Sequence, residues 1–376
     1  MIALNTAWNL VNFRSGLIRA LVSHGYDVIA VAPADEYAHQ LAQLGCRFVS
    51  LPMDNNGTNP GRDLMLLMRF VRLLRRERPD VLLSYTVKPN VYGSLAAHVL
   101  GVSVINNVAG LGAVFSKGGW LNWLVRALYR GALARSGKIF FQNEDDRNLF
   151  LSTDLVPLRV TDCLPGSGVD LEQFPYQPIP AERDEPMHFV LIARLAVEKG
   201  VLEFMEAAKQ LREAGFQVRF SIAGDIPAKT GIEPQAVIDW GQVPGQSWLG
   251  KVDDVQTLIA ESDCVVLPSY REGTPRVLLE AAAMGRPVIA ADSIGTREPL
   301  IPGETGLLCA PRDPHDLARI MAQMIEVGHD VRAAMGMAGR RLVQQKYDVH
   351  FVVDDYKERI HQVLQDRRMN RHGVPR

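Results

Sequence analysis

Short apolar runs alternate with longer stretches whose apolar positions recur at helical spacing along nearly the whole chain. In the first half the strand-like runs are residues 2–5, 27–32, 46–51, 80–84, 102–107 and 138–142. The helical stretches between them are 13–24, 37–44, 62–76, 91–100 and 120–134. In the second half strands are expected at 187–193, 217–223, 248–250, 263–268 and 286–291. Helices are expected at 201–214, 253–260, a start at Thr274-Pro275, 314–327, 330–345 and 349–364. Thr is a good N-cap and Pro suits the first helical position. Strand–helix alternation of this kind predicts parallel sheets with helices on both faces, an α/β chain.

At 376 residues the chain is too long for one ordinary domain. A break falls where Leu164-Pro-Gly-Ser-Gly168 runs into a proline-rich stretch ending at Pro186. The expected organisation is a first domain at 1–165, a linker at 166–186 and a second domain at 187–347. A C-terminal helix at 348–366 then crosses back to the first domain, and 367–376 form a flexible tail. The first strand is short, and a start a few residues upstream would complete it. A glycine-rich hairpin is expected at Pro302-Gly-Glu-Thr-Gly306.

Composition sharpens this picture little, and charge sharpens it more. Hydrophobic residues make up 47% and charged residues 22%, enough for a sizeable core. The net charge of −1 gives no nucleic-acid signal. Yet residues 1–165 carry 17 Lys+Arg against 12 Asp+Glu, a net +5, which leaves −6 for the remainder. Such asymmetry suggests that the first half faces something anionic. Residues 63–76 are apolar on one side and arginine-rich on the other. Residues 113–138 hold Lys117, Arg126, Arg130, Arg135 and Lys138, no acid, and Trp120, Trp123 and Tyr129. Cationic faces with interfacial aromatics suit anionic lipid, although helices packed on their own sheet show the same pattern. No apolar run is long enough to span a bilayer. Cys46, Cys163, Cys264 and Cys309 lack metal spacing and read as core thiols in a reducing compartment.

Candidate chemistry lies in the turns at strand ends, where open α/β sheets bind ligands. Ser269-Tyr-Arg-Glu-Gly-Thr-Pro-Arg-Val-Leu-Leu-Glu280 places Glu272, Gly273 and a helix start there. A helix start favours anions, so Glu272 and Glu280 read as ligands for sugar or ribose hydroxyls. Arg194-Leu-Ala-Val-Glu-Lys-Gly200 puts two cations, Arg194 and Lys199, on another strand-to-helix turn, a diphosphate clamp without a metal. Solvated surface charges would look the same. In the first half, Arg14 and Lys88 can hold a phosphate, and the Gly110/Gly112 loop permits close backbone approach. No Gly-x-Gly-x-x-Gly follows the first strand, which argues against a dinucleotide there. No Asp-x-Asp occurs, so no metal-bridged nucleotide is suggested.

The second half resembles family 4 glycosyltransferases, through Ala193-Arg-Leu-Ala-Val-Glu-Lys-Gly200, Ala223-Gly-Asp225, Glu272-Gly-Thr-Pro275, the Glu272/Glu280 pair and Gly303–Gly306. Trp8-Asn-Leu-Val-Asn-Phe-Arg14, Lys88-Pro-Asn90 and Gly110-Leu-Gly112 are similar to a bacterial subgroup that extends undecaprenyl-diphosphate-linked sugars for O-antigen, capsule or protein glycosylation. The resemblance implies the GT-B fold, two Rossmann-like domains facing across a cleft. It implies a retaining hexosyltransferase, independent of metal and cofactor, with a UDP-sugar donor such as UDP-GalNAc. It places the enzyme in the cytoplasm, peripherally on the inner face of the cell membrane. The donor is expected on Arg194, Lys199, Gly224, Val252, Glu272, Gly273, Thr274, Pro275 and Glu280. Glu272, Arg194 and Lys199 are the expected catalytic groups. The acceptor is expected on Arg14, Lys88, Asn90, Gly110 and Gly112. The chain lacks the family's usual Gly-Gly pair after strand one and a His after strand four, so Lys88 takes the acceptor diphosphate in this reading. A UDP-sugar 2-epimerase of the same fold and a non-catalytic nucleotide-sugar-binding protein are the competing readings.

Overall fold

The computed structural model describes residues 1–54, 59–110, 120–179, 186–228 and 230–371. Contacts along the chain divide it into two units, Met1–Ser167 with Val349–Arg376, and Gly168–Asp348.

The first unit runs β1 (Ile2–Ala3), α1 (Ala7–Ser23), β2 (Ile29–Ala32), α2 (Gln40–Gln43), β3 (Arg47–Ser50), α3 (Pro60–Glu77) and β4 (Val81–Tyr85). A π turn, Pro89–Gly93, leads into α4 (Ser94–Leu100). Then come β5 (Ser103–Val108), α5 (Trp120–Leu133), β6 (Lys138–Phe141), α6 (Glu144–Ser152) and β7 (Thr161–Cys163). Every strand pairing is parallel, in the order β3-β2-β1-β4-β5-β6-β7. The order reverses between β1 and β4, which makes the carboxyl ends of those two strands the topological switch point.

Local chemistry explains where these elements begin. The Thr6 hydroxyl accepts from the Asn9 amide, so α1 starts at Ala7 rather than at residue 13. Asn59 caps α3 through the amides of Gly61 and Arg62, with Pro60 at its first turn. The expected helix at 37–44 shrinks to α2. β7 and α6 escaped the hydrophobic pattern, because β7 is three residues long, two of them the polar Thr161 and Asp162, while α6 opens with Glu144, Asp145 and Asp146.

The second unit runs β8 (Met187–Ile192), α7 (Val201–Glu213), β9 (Val218–Ala223), α8 (Pro234–Gly241), β10 (Gln246–Trp248), α9 (Val255–Ala260), β11 (Cys264–Leu267), α10 (Arg276–Ala283), β12 (Val288–Ala291), β13 (Gly306–Cys309), α11 (Pro314–Glu326) and α12 (Gly328–Lys346). Its sheet is also all parallel, in the order β10-β9-β8-β11-β12-β13, with the switch point between β8 and β11. Three expectations are corrected here. The strand expected at 248–250 is β10, two residues earlier. The expected hairpin at 302–306 is a turn into β13, which lies parallel to β12 in the register Val288↔Gly306. Only glycine fits that register, because a Cβ on Gly306 would sit 2.2 Å from the Val288 carbonyl oxygen. Helix α10 begins one residue later than expected, with Pro275 still extended at φ −71 and ψ 117 and acting as the cap.

The core of the second unit includes Phe189, Phe204 and Phe220. Phe189 and Phe220 stack with centroids 6.0 Å apart. Burial of each such side chain stabilises by about 1.5–3 kcal/mol. Among the cysteines Cys46, Cys264 and Cys309 are buried, Cys163 is half-buried, and all are free thiols. Burial pushes the Cys309 thiol up to about 12.

The last helix, α13 (Val349–Arg371), packs on the first sheet. Tyr356 is its anchor. The ring is fully buried, 5.1 Å from Phe140 and 6.0 Å from Tyr85 between centroids, and its hydroxyl accepts from the Asn107 side chain at 3.1 Å. No described helix is long and apolar enough to cross a membrane.

Candidate active site

In the second unit, the loops leaving β8 and β11 meet at the switch point, and glycines allow them to touch backbone to backbone. Gly200, at φ 72, ends the β8 loop against β11's exit: a Cβ there would lie 2.3 Å from the Pro268 carbonyl oxygen. Gly224, at φ 144 after β9, leaves 1.8 Å between such a Cβ and the Ala193 carbonyl oxygen. The turn after β12 supports the β11 loop from its far side. Its Gly295, at φ 87, would place a Cβ 2.1 Å from the Glu272 carbonyl oxygen. Hydrogen bonds run through the same crossings. The Glu272 amide donates to Ile294 O at 2.9 Å, and the Tyr270 amide donates to Glu198 O at 2.9 Å. The Ser293 hydroxyl donates to Ser269 O at 2.7 Å.

The side chains complete the join. Lys199 from the β8 loop forms an ion pair with Glu272 from the β11 loop, both largely withdrawn from solvent at 21% and 14% side-chain exposure. Arg194 lies on the same loop as Lys199, but it faces solvent and pairs with Glu198 at 3.1 Å. At the start of α10, Arg276 meets Glu280 one turn on at 2.8 Å, with side-chain exposures of 17% and 12%. Burial pushes the Glu280 carboxyl above the usual range, and Arg276 opposes that shift. Tyr270 braces the loop from behind. Its hydroxyl donates to Glu203 on α7, and the Arg312 guanidinium stacks 4.6 Å from its ring centroid. Val252 packs against the neighbouring core, and Trp248 Nε1 donates to Gly224 O at 3.1 Å.

Lys199, Glu272, Gly273, Thr274 and Pro275 therefore come together at one switch point, with Gly224 on the adjoining loop. Arg194 stands outside their ion pair. Sequence reasoning missed Gly295, Tyr270 and the pairing of Arg276. The first has a sequence signal, a glycine in a strand-end turn, but the residue it faces is 23 positions away and not visible from the chain.

The first unit departs further from expectation. Arg14 is withdrawn from solvent rather than open: it is 4% exposed, its guanidinium 4.2 Å from the ring centroid of Tyr85, the last residue of β4. The cause is register, since α1 buries Ala7, Leu10, Arg14, Leu17, Ile18 and Leu21 on one face. Asn90 is 1% exposed and joins the β4 exit to β5, donating to Asn107 O at 2.8 Å and accepting from the Asn106 amide group at 2.9 Å. Lys88 pairs with Asp63 of α3 at 2.8 Å, with side-chain exposures of 12% and 15%. Gly110 adopts φ 113. Gly112 and Lys117 lie outside the described residues.

Comparison with known proteins fits this architecture. Residues 12–161 match the family model of a glycosyl transferase 4-like domain, and residues 186–327 match that of glycosyl transferases group 1. The chain belongs to the glycosyltransferases that pair these two domains, and its two Rossmann-like parallel sheets are those of the GT-B fold. A Campylobacter jejuni N,N'-diacetylbacillosaminyl-diphospho-undecaprenol alpha-1,3-N-acetylgalactosaminyltransferase is 24% identical over 95% of this chain and 97% of its own. An Escherichia coli UDP-Gal:alpha-D-GlcNAc-diphosphoundecaprenol alpha-1,3-galactosyltransferase is 27% identical over 62% of this chain and 63% of its own. Among solved structures, Anabaena HepE in complex with UDP and glucose superposes with a TM-score of 0.78 at 19% identity, covering 96% of this chain and 99% of that one.

The glycine crossings make a direct test. Gly303 adopts φ 78 with nothing within 4 Å of its would-be Cβ, so Gly303→Ala carries the backbone strain alone. That substitution is expected to cost about 1 kcal/mol of unfolding free energy. Gly295→Ala adds overlap with the Glu272 peptide and is expected to cost about 1–3 kcal/mol more in chemical denaturation. Equal losses would show that the crossing at Glu272 does not constrain the loop.

Proposed function

We propose that this protein is a retaining glycosyltransferase that moves an N-acetylhexosamine, such as GalNAc, from a UDP-sugar to an undecaprenyl-diphosphate-linked saccharide. The observation that carries the reading is the Lys199–Glu272 pair at the switch point of the second sheet. It sets a cation and a hydroxyl acceptor side by side, which is what a sugar bound through a diphosphate requires. The Campylobacter and Escherichia coli relatives support the acceptor class, since both of their names specify a diphospho-undecaprenol-linked sugar and an alpha-1,3 product.

In this reading the second unit binds the donor. Lys199 meets the diphosphate, and Arg194 joins it by leaving Glu198. Glu272 accepts from hydroxyls of the sugar. Glu280, held by Arg276, accepts from the ribose hydroxyls, with Gly224 and Val252 lining the nucleoside side. Gly273, Thr274 and Pro275 bring the start of α10 to the phosphates. The bond from the sugar's anomeric carbon to the diphosphate breaks, and its electron pair stays on the phosphate oxygen. The acceptor hydroxyl attacks on the same face, so configuration is retained, and its proton passes to that phosphate oxygen. Lys199 stabilises the charge that develops on the leaving group. The cationic groups come from the chain itself, which contains no Asp-x-Asp.

The first unit serves the acceptor and the membrane surface. On α3, Leu64, Met65 and Met68 are 57%, 47% and 52% exposed, and Arg72, Arg75 and Arg76 are exposed on the following turns. Apolar side chains followed by guanidinium groups suit the boundary of an anionic bilayer. On α5, Trp123 is 72% exposed and Arg130 is exposed nearby.

Lys199→Ala is expected to lower kcat for sugar transfer by about 100- to 1000-fold, the loss typical of one electrostatic donor at a developing negative charge. Unchanged kcat in a folded variant would remove Lys199 from the donor site. Leu64→Glu combined with Met68→Glu is expected to abolish co-sedimentation with vesicles rich in anionic phospholipid and to leave thermal unfolding unchanged. Undiminished sedimentation would place the membrane contact elsewhere.

A further inference from the structure

The turn after β4 holds a strained residue that the donor chemistry does not use. Thr86 sits at φ 60, in the left-handed region. The other non-glycine residues with positive φ are Arg78, Asp154 and Arg312 among the described residues, so Thr86 is the β-branched one. A β-branched side chain is disfavoured in this conformation, and such strain clusters at functional sites. The turn ends one strand of the first sheet's switch point and runs on into the π turn Pro89–Gly93, a second irregularity of a kind frequent at such sites.

The hydroxyl of Thr86 has a defined polarity. Its hydrogen is donated to Tyr85 O at 2.6 Å, while the Thr86 carbonyl accepts from the Asn90 amide at 3.0 Å. The oxygen therefore retains acceptor capacity only, and the residue is half-exposed. Lys88, two residues on, has its charge taken up by Asp63. An oxygen that can only accept suits a ligand O–H and is wrong for a phosphate oxygen, which also only accepts.

We infer that Thr86 is a specificity-determining residue of the first unit, and that its hydroxyl accepts a hydrogen bond from a hydroxyl of the acceptor saccharide. The inference rests on the glycosyltransferase reading given above. The left-handed backbone persists because it fixes the hydroxyl on the Tyr85 carbonyl at the carboxyl end of the sheet.

Two variants separate binding from strain. Thr86→Gly removes the hydroxyl and relieves the backbone. Thr86→Ser keeps the hydroxyl and removes the β-methyl group. Each is assayed with a panel of UDP-sugars and short undecaprenyl-diphosphate-linked saccharides, alongside thermal unfolding and acceptor-free hydrolysis of the UDP-sugar. Thr86→Gly is expected to raise acceptor KM about tenfold, the worth of one hydrogen bond. Its Tm stays level or rises, and acceptor-free hydrolysis stays at the wild-type rate. Thr86→Ser is expected to keep the wild-type KM. Wild-type acceptor KM in Thr86→Gly overturns the inference, as does a lowered Tm with KM unchanged, or a Thr86→Ser variant as impaired as the glycine. If the wild-type protein transfers to no lipid-linked acceptor in the panel, the proposed function itself fails and takes this role with it.

Discussion

The second unit depends on one ion pair at the point where its strand order reverses. Lys199 and Glu272 arrive on loops from neighbouring strands, 73 residues apart in sequence, and neutralise each other in a partly desolvated place. A fully exposed pair is worth about 0–1 kcal/mol, and removal of one partner from a buried pair costs about 3–5 kcal/mol. At 21% and 14% side-chain exposure the pair lies between these limits, so neither charge is readily left alone. In the proposed donor complex a diphosphate would resolve the same constraint by offering Lys199 a second anion while Glu272 turned to neutral hydroxyls.

The pair forms because the backbone beneath it is fixed. Gly200 against Pro268, Gly224 against Ala193 and Gly295 against Glu272 are crossings at which any side chain would overlap main-chain atoms. The hydrogen bonds from Tyr270 N to Glu198 O and from Glu272 N to Ile294 O tie the same loops together. The site is thus made of strand-end turns on a parallel sheet, and its precision comes from the sheet's register rather than from the length of any loop.

Much of this was legible in the chain. The alternation of apolar runs and helical periodicity gave two parallel sheets, and the residues of the turn after β11 could be named because glycine, proline and charged residues mark strand-to-helix turns. What stayed hidden was set by tertiary register. Arg14 reads as an open cation until the helix phase buries it on the face with Leu10 and Leu17. Asn90 reads as a ligand group until the π turn brings it to the Asn106 and Asn107 groups of β5. Lys88 reads as a free cation until α3 delivers Asp63. In each case the partner lies on another element, and spacing within one segment carries no information about it.

The most direct measurement is a double-mutant cycle on Lys199 and Glu272, read as the affinity for a UDP-sugar by calorimetry. If the two residues act as one unit in donor binding, the sum of the losses for Lys199→Ala and Glu272→Gln will differ from the loss in the double variant by about 0.5–3 kcal/mol. Additivity within about 0.5 kcal/mol would mean that the two side chains bind the donor independently or not at all, and would contradict the account.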